Sequence, residues 1–240
     1  MSFKPSDLTN LIGTHLLPFT NPRVVCPPGV VSAQGRPNII VATPMRSGTH
    51  VLIDMILNNV PAYRNRPLYV DLDQCRKQGT PQNDLVGRIA PDAGYILKTH
   101  MPIGTDPDSP TDPRILDLFA TGVVLTVRRD RAEVCTSLAR WHRLPEEAPL
   151  TRYEAQYDGF WNFWAPRDQI GIGFADLFVP DRMIPVLDSL CARTGTTRAA
   201  RFSGPSSEAD KARIYTNKAL TRLTGRHAPK IDTSIHTLKG

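Results

Sequence analysis

The chain has 240 residues, a formal net charge of +6 and 22 prolines, a proline content well above the usual ~5%. This length can bury a sizeable core, so we expect a single domain over residues 1–240. No apolar segment approaches the ~18 residues that a membrane span requires, and the N-terminus lacks the apolar core of a signal peptide. We therefore expect a cytoplasmic protein without a membrane span.

The excess positive charge lies in a basic C-terminal segment, residues 193–240, which contains ten Lys/Arg and three Asp/Glu. Such a segment can contact nucleic acid or an acidic partner. No nucleic-acid-binding motif and no alternation of basic and aromatic residues accompanies the charge, so we expect no nucleic-acid partner. The four cysteines include no Cys-x-x-Cys pair, which predicts buried free thiols rather than a zinc site or disulfides.

A proline-punctuated N-terminal segment, residues 1–37, precedes the first predicted strand. Three continuous apolar runs then predict buried parallel strands. They are NIIVATPMR (38–46), GYILKTH (94–100) and GVVLTVRR (122–129). Helical patterns follow the strands at residues 50–59, 111–120 and 130–142. This alternation predicts an α/β fold, a single P-loop-like domain with a central parallel sheet flanked by helices.

The next segments extend this pattern. Five aromatic residues at helical spacing in YEAQYDGFWNFW (153–164) favour a core-facing helix stripe, with an acceptor pocket as the alternative. IGIGFADLF (170–178) predicts a fourth strand. Residues 180–195 predict a helix that stops at Gly195.

The predicted strands end on basic residues. Ligands of open parallel sheets bind beyond the carboxyl ends of the strands. The residues at these ends are Arg46, Lys98, His100, Arg128 and Arg129. Positive charge from three strands at one edge predicts a ligand with more than one anionic group.

The loop TPMRSGTH (43–50) lies between a strand and a helix start, where backbone N–H groups and the helix dipole bind phosphate. A nucleoside-triphosphate loop would have lysine after Gly48, but Thr49 is there and the cation is Arg46. This pattern favours a 5′-phosphate with one small group beyond it and no metal. LYVD, which ends at Asp71, could be a magnesium-binding strand end, although a helix start after a buried segment explains it equally well.

Together the three segments resemble the sulfotransferases that use 3′-phosphoadenosine 5′-phosphosulfate (PAPS). PMRSGTH (44–50) is similar to the family loop Pro-Lys/Arg-Ser-Gly-Thr-Thr, and KTHMP (98–102) is similar to Lys-Thr/Ser-His-Leu-Pro. RDRAEVCTS (129–137) resembles Arg-Asp/Asn-Pro-x-Asp-x-x-x-Ser, and FADL (174–177) resembles Tyr-Glu-Asp-Leu. The resemblance implies a metal-independent enzyme whose donor is PAPS and whose nucleotide product is 3′-phosphoadenosine 5′-phosphate (PAP).

The resemblance also assigns roles. His100 would be the general base, and Lys98 and Arg46 would stabilise the leaving phosphate. Cofactor contacts would come from Arg46, Ser47, Gly48, Thr49, His50, Arg129 and Ser137. Because Lys98 and His100 are two apart on an extended segment, both side chains should project to one side, and the ammonium would keep the imidazole neutral near pH 7. The acceptor would be a small molecule, a lipid or a carbohydrate, and a homodimer could form.

The sequence departs from the family pattern at several points. Arg131 and Glu133 replace the proline and aspartate of the third motif, and Val51 replaces a tryptophan that often stacks on adenine. The C-terminal Arg-Lys-Gly-x-x-Gly loop over the 3′-phosphate is not recognisable, although Arg222 or Arg226 could substitute.

Other interpretations of these residues stay open. Arg129 could simply pair with Asp130 or Glu133, and Ser137 could face solvent. The acidic loop 105–114 could select the acceptor or be solvated. For the whole protein, the rivals are a magnesium-dependent P-loop-like nucleotide kinase and a non-catalytic module that uses its basic C-terminus to bind nucleic acid or an acidic partner.

Overall fold

A computed structural model of the chain describes residues 34–64, 69–73, 87, 89–102 and 113–205. These residues form one five-stranded sheet in which every pairing is parallel, with the order β2–β3–β1–β4–β5. The strands are β1 Ile39–Ala42, β2 Val70–Asp71, β3 Ile96–Thr99, β4 Val123–Arg128 and β5 Ile170–Gly173. Strands β1 to β3 are buried throughout, as continuous apolar runs require.

Helices connect the strands and cover the sheet. They are α1 Thr49–Asn59, α2 Pro113–Thr121, α3 Arg131–Trp141, α4 Thr151–Trp164 and α5 Pro180–Thr194, with 3-10 helices at Pro61–Tyr63 and Ala175–Phe178. The predicted α/β class is confirmed. The fourth predicted strand is shorter than expected, because β5 ends at Gly173 and the FADL segment turns into a 3-10 helix.

The two faces of the sheet pack against different helices. Ile39 and Val41 belong to a core cluster that includes side chains of α1 and α5. Ile40 and Ala42, which alternate with them along β1, belong to a second cluster that includes side chains of α2 and α4. Helix α3 packs on α4 through a third, smaller cluster.

The aromatic stripe of α4 is mainly a core feature. Tyr153, Phe160 and Trp164 are buried, which confirms the core-facing interpretation for these three residues. Tyr157 and Trp161 are half-buried and lie nearer the edge of the sheet where the predicted site residues are.

Several predictions concern residues beyond those described. Cys135 and Cys191 are buried and free, as predicted, whereas the other two cysteines lie outside the described residues. Arg222, Arg226 and most of the acidic loop 105–114 also lie outside them. Among the helices that the structure describes, none is both long enough and apolar enough to cross a membrane.

Candidate active site

The first phosphate-binding candidate is the tight loop between β1 and α1. Its backbone takes left-handed conformations at Arg46, where φ is 67°, and at Gly48, where φ is 91°. A Cβ atom on Gly48 would come within 2.9 Å of the Leu177 and Phe174 side chains, so the position needs glycine for space as well as for conformation. No described side chain caps α1 and its first turn contains no acid. A helix N-terminus without a side-chain cap is the arrangement that binds an anion.

The hydroxyl groups of this loop differ in their partners. Thr49 Oγ1 lies 2.5 Å from Thr43 Oγ1, so these two hydroxyls hydrogen-bond to each other. Ser47 Oγ is buried and has no hydrogen-bond partner among the described residues. A buried hydroxyl without a partner costs free energy, and an anionic oxygen would satisfy it. The loop residues therefore fit a bound phosphate group. His50, the second residue of α1, makes an edge-type contact with the Tyr69 ring, with 6.4 Å between the ring centroids.

The second candidate is the junction between β4 and α3. Asp130 caps α3, because its Oδ1 accepts a hydrogen bond of 3.0 Å from the N–H of Glu133. Arg129 donates from Nε to Glu133 Oε2 over 2.9 Å, so the expected alternative, a surface ion pair, is present. Arg129 also donates from Nη1 to the carbonyl oxygen of Arg46 over 2.9 Å. This bond joins the third sequence motif to the first.

Arg46 strengthens the connection between the two junctions. Its Nε donates to Ser137 Oγ over 3.1 Å, and its Cζ lies 5.0 Å from the centroid of the Trp141 ring. Desolvation, and then the charge of Arg129, lower the pKa of Arg46. The two neighbouring guanidinium groups therefore favour an anion beside them. Within the described residues, the Arg46 side chain contacts Ser137 and Trp141 on α3. It makes no contact there with Lys98 or His100.

Two features of this region were not predicted. Trp141 is 61% exposed beside Arg46, and its place one helical turn after Ser137 is the only sequence signal for it. An open groove of about 390 Å³ runs along α3. The groove is lined by Arg129, Asp130, Ala132, Glu133, Thr136, Ser137 and Arg140. Side chains of both charge signs line the groove. An anion there would therefore meet two carboxylates as well as two guanidinium groups.

Lys98 lies in a charge cluster with two aspartates. It is only 5% exposed, and its Nζ is 2.8 Å from Asp71 Oδ2 and 3.5 Å from Asp73 Oδ2. Asp71 is on β2, the strand next to β3. The LYVD segment therefore supplies the counter-ion of Lys98, a contact that sequence reasoning did not identify.

His100 follows β3 and is held by two contacts. Its Nδ1 lies 2.7 Å from the carbonyl oxygen of Thr43, and its backbone N–H donates to Asp73 Oδ2 over 2.8 Å. Because a carbonyl oxygen can only accept, the neutral imidazole has its proton on Nδ1, and Nε2 is the basic nitrogen. Thr43 thus links the first loop to the second motif.

The pKa of His100 is lowered by burial first and by the charge of Lys98 second. The sequence had indicated Lys98 alone. Asp73, the Thr43 carbonyl and Asp71 act in the opposite direction. The net effect favours a neutral imidazole, which is the form that can accept a proton.

Helix α4 holds the backbone of two predicted site loops. Trp164 Nε1 donates to the carbonyl oxygen of Met101, next to His100, over 2.8 Å. Tyr157 Oη donates to the carbonyl oxygen of Arg129 over 2.7 Å. Arg128 lies with its Cζ 4.4 Å from the Trp161 ring centroid, whereas Arg129 lies over Phe174 at 4.3 Å. The two arginines therefore have separate surroundings, as strand alternation predicts.

In the described ranges, which omit residues 74–86 and 103–112, no group of three or more His, Cys, Asp or Glu side chains is arranged to hold a metal ion.

No protein-family model and no curated protein matches the sequence. Similar solved structures, each 16% identical, include a retinol dehydratase in a complex with retinol and PAP, with a TM-score of 0.40 and coverage of 75% of this chain and 64% of that chain. Retinol dehydratase with androsterone and inactive cofactor PAP has a TM-score of 0.39, with coverage of 75% and 63%. A sulfotransferase from Alicyclobacillus acidocaldarius also has a TM-score of 0.39, with coverage of 80% of this chain and 97% of that chain. The chain thus spans less than two thirds of the retinol dehydratase, and similarity at this level assigns it no activity.

Proposed function

We propose that the protein is a sulfotransferase that moves the sulfuryl group of PAPS to a hydroxyl or amine of a small-molecule, lipid or carbohydrate acceptor. The observation that supports this most is the joining of three distant motifs through two contacts. Arg129 donates to the carbonyl of Arg46, and His100 contacts the carbonyl of Thr43. The motif resemblance suggests the identity of the donor, and the uncapped α1 with the buried Ser47 hydroxyl supports an anion at the first loop.

The two junctions would hold the two anionic groups of PAPS, the 5′-phosphosulfate and the 3′-phosphate. The first turn of α1, with Ser47 and Gly48, would hold the 5′-phosphosulfate. Arg129 and Ser137 would hold the 3′-phosphate, with Arg46 between the two groups. When bound, PAPS supplies the sulfuryl group, whose bond to the 5′-phosphate oxygen breaks as the acceptor atom bonds to sulfur.

The chain contributes a base and fixed positive charge. His100 Nε2 would take the proton of the acceptor hydroxyl or amine, a role that typically increases the rate by about 100- to 10,000-fold. Lys98 and Arg46 would offset negative charge on the leaving phosphate. Because Lys98 is paired with Asp71, its ammonium would act there as a partly neutralised charge.

Ligand binding tests the donor assignment. We expect saturating PAP, in the presence of EDTA, to raise the melting temperature of the wild-type protein, because a ligand at 100 times its Kd adds about 2.7 kcal/mol of stability. Arg129→Ala should reduce this shift, because it removes a guanidinium from the 3′-phosphate site and a hydrogen bond to the first loop. Arg128→Ala is the matched control, since its guanidinium lies over Trp161 instead, and it should keep the shift. An unchanged melting temperature at saturating PAP would refute the donor assignment.

Turnover tests the reaction. We expect transfer of labelled sulfate from PAPS to at least one member of a panel of phenols, sugars, lipids and amino-alcohols. His100→Ala should lower kcat by roughly 100- to 10,000-fold while PAP still raises the melting temperature. Magnesium-dependent ATP turnover, without sulfate transfer, would instead support the kinase interpretation.

A further inference from the structure

The segment that carries His100 is held by a carboxylate from outside its own strand. Asp73 Oδ2 accepts the backbone N–H of His100 over 2.8 Å, and Asp73 Oδ1 accepts the Thr99 hydroxyl over 3.3 Å. The Asp73 side chain is 14% exposed. Hydrogen bonds to a carboxylate are stronger than those between neutral groups, so both oxygens restrain consecutive residues.

Further bonds extend this restraint beyond His100. Thr99 Oγ1 accepts the N–H of Met101 over 3.0 Å, and the carbonyl of Met101 accepts the indole N–H of Trp164. The backbone on both sides of His100 is therefore held by groups from other elements. The imidazole itself is oriented by the Thr43 carbonyl.

Charge gives Asp73 a second effect on His100. Among the described residues, the charged groups that act on His100 are Lys98 on β3, Asp71 on β2 and Asp73 beyond it. Lys98 lowers the pKa of His100, and both aspartates raise it. Without Asp73, more of the Lys98 charge would act on the imidazole and make Nε2 a weaker base. A base works best when its pKa lies near the working pH, so the aspartate limits the loss of basicity.

We propose that Asp73 is a positioning residue that holds the peptide of His100 in place and supplies negative charge beside the imidazole. This inference rests on the proposed role of His100 as the base. Asp73 would touch neither donor nor acceptor; it would act through His100 and, at 3.5 Å, on the ammonium of Lys98.

The direct test is a titration of His100 by NMR in Asp73→Asn, without donor or acceptor. The His100 ring signal is assigned by its loss in His100→Gln. We expect the pKa of His100 to be lower in Asp73→Asn than in the wild type, because a negative charge has been removed. In turnover, kcat should fall by up to about 100-fold with the KM for PAPS unchanged, because a small displacement of the base costs rate rather than nucleotide binding.

Asp117→Asn is the matched control. It makes the same charge change at an exposed position on α2, and Asp117 is not among the groups that act on His100. It should leave both the His100 titration and kcat unchanged. The proposal is overturned if Asp73→Asn titrates like the wild type, or if Asp117→Asn shifts the titration equally.

Asp73→Glu separates charge from position and serves if Asp73→Asn does not fold. It keeps the negative charge, so the His100 titration should stay near that of the wild type, but the longer side chain displaces the oxygens. We expect faster hydrogen exchange of the His100 amide and a lower kcat. If the His100 amide exchange rate and kcat of Asp73→Glu equal those of the wild type, the positioning role is overturned. Titration and exchange need no substrate, so they remain informative even if the wild type transfers no sulfate and the proposed function fails.

Discussion

The two strand-to-helix junctions at the carboxyl edge of the sheet contrast in how their polar groups are satisfied. At the β1–α1 junction, α1 has no cap from the described residues, and the buried Ser47 hydroxyl has no described partner. At the β4–α3 junction, Asp130 caps the helix and Glu133 pairs with Arg129. The first junction is therefore prepared for an external anion, whereas the second is largely satisfied by the chain itself.

This difference shows that a sequence motif typical of phosphate binding does not guarantee a site whose polar groups lack partners within the protein. An anion at the first junction would accept a hydrogen bond from the Ser47 hydroxyl, which has no described partner. At the second junction, an anion that reaches Arg129 must compete with the Glu133 carboxylate, because both would use the same guanidinium. We therefore expect the first junction to contribute more to nucleotide affinity than the second.

The largest effect is expected for Gly48→Ala. The new methyl group would overlap the Leu177 and Phe174 side chains, in addition to the ~1–2 kcal/mol cost of a left-handed non-glycine residue. The free energy of unfolding, from urea titration, should fall by more than that cost, and PAP binding should weaken at least ~10-fold by calorimetry.

Gly195→Ala is the control for Gly48→Ala. Gly195 also has a left-handed φ, of 63°, but a methyl group there would meet no atom within 4 Å. It should show the backbone cost alone and bind PAP normally. Equal losses of stability in the two variants would contradict the crowding described at Gly48.

A pair of substitutions compares the two junctions directly. Asp130→Ala should lower the free energy of unfolding by about 0.5–2 kcal/mol because it removes a helix cap, while Asp130→Asn should lose less. Ser47→Ala should be neutral or stabilising without ligand, since it removes a buried hydroxyl that has no described partner.

The ligand responses of this pair should be reversed. PAP binding, measured by calorimetry, should weaken in Ser47→Ala and change little in Asp130→Ala. If Ser47→Ala destabilised the free protein as much as Asp130→Ala, the Ser47 hydroxyl would have a partner and the contrast between the junctions would fail.

A smaller effect is expected for Glu133→Gln. Freeing Arg129 from an exposed ion pair, worth about 0.2–1 kcal/mol, should tighten PAP binding by up to about 5-fold. Binding of AMP, which lacks the 3′-phosphate, should not change. Glu154→Gln, which loses a carboxylate 3.7 Å from Arg131, is the control and should leave both affinities unaltered. Tighter binding of AMP as well as PAP would argue against a 3′-phosphate at Arg129.

The smallest effect concerns pH and His100, whose imidazole contacts the carbonyl of Thr43 at the first junction. Its pKa in the folded protein lies below the usual 6.5, so the unfolded chain binds more protons between these two values. The free energy of unfolding should therefore fall as pH drops through that window. The free energies of unfolding of wild type and His100→Asn, from urea titrations, should diverge in that pH window. The value of kcat/KM should fall as pH drops, with a midpoint below pH 6.5. Parallel stability curves would contradict the lowered pKa.

Much of the fold was predictable because each strand is short, continuous and apolar. The runs around Ile39, Ile96 and Val123 become β1, β3 and β4 with their cationic ends at one edge, since parallel strands share a direction. The boundaries were less accurate. The predicted first strand extended to Arg46, but the chain leaves the strand after Ala42 to form the loop.

The site was predictable where its residues are adjacent in sequence and not where contacts join distant segments. The bond between Arg129 and Arg46 spans 83 positions, and the bond between Trp164 and Met101 spans 63. LYVD, which ends at Asp71, looked like a magnesium-binding strand end or a helix start after a buried segment. The pairing of β2 with β3 places Asp71 beside Lys98, and Asp73, two residues further on, accepts the His100 N–H.

The sequence by itself determined the parallel α/β arrangement, the cationic edge and the glycine-containing loop, because strand periodicity and backbone conformation depend on neighbouring residues. The tertiary structure decided which cations keep a free charge. Lys98 pairs with Asp71, Arg129 is shared with Glu133, and the buried Ser47 hydroxyl has no described partner. Burial and pairing depend on which segments meet across the sheet, and that information is not contained in any single motif.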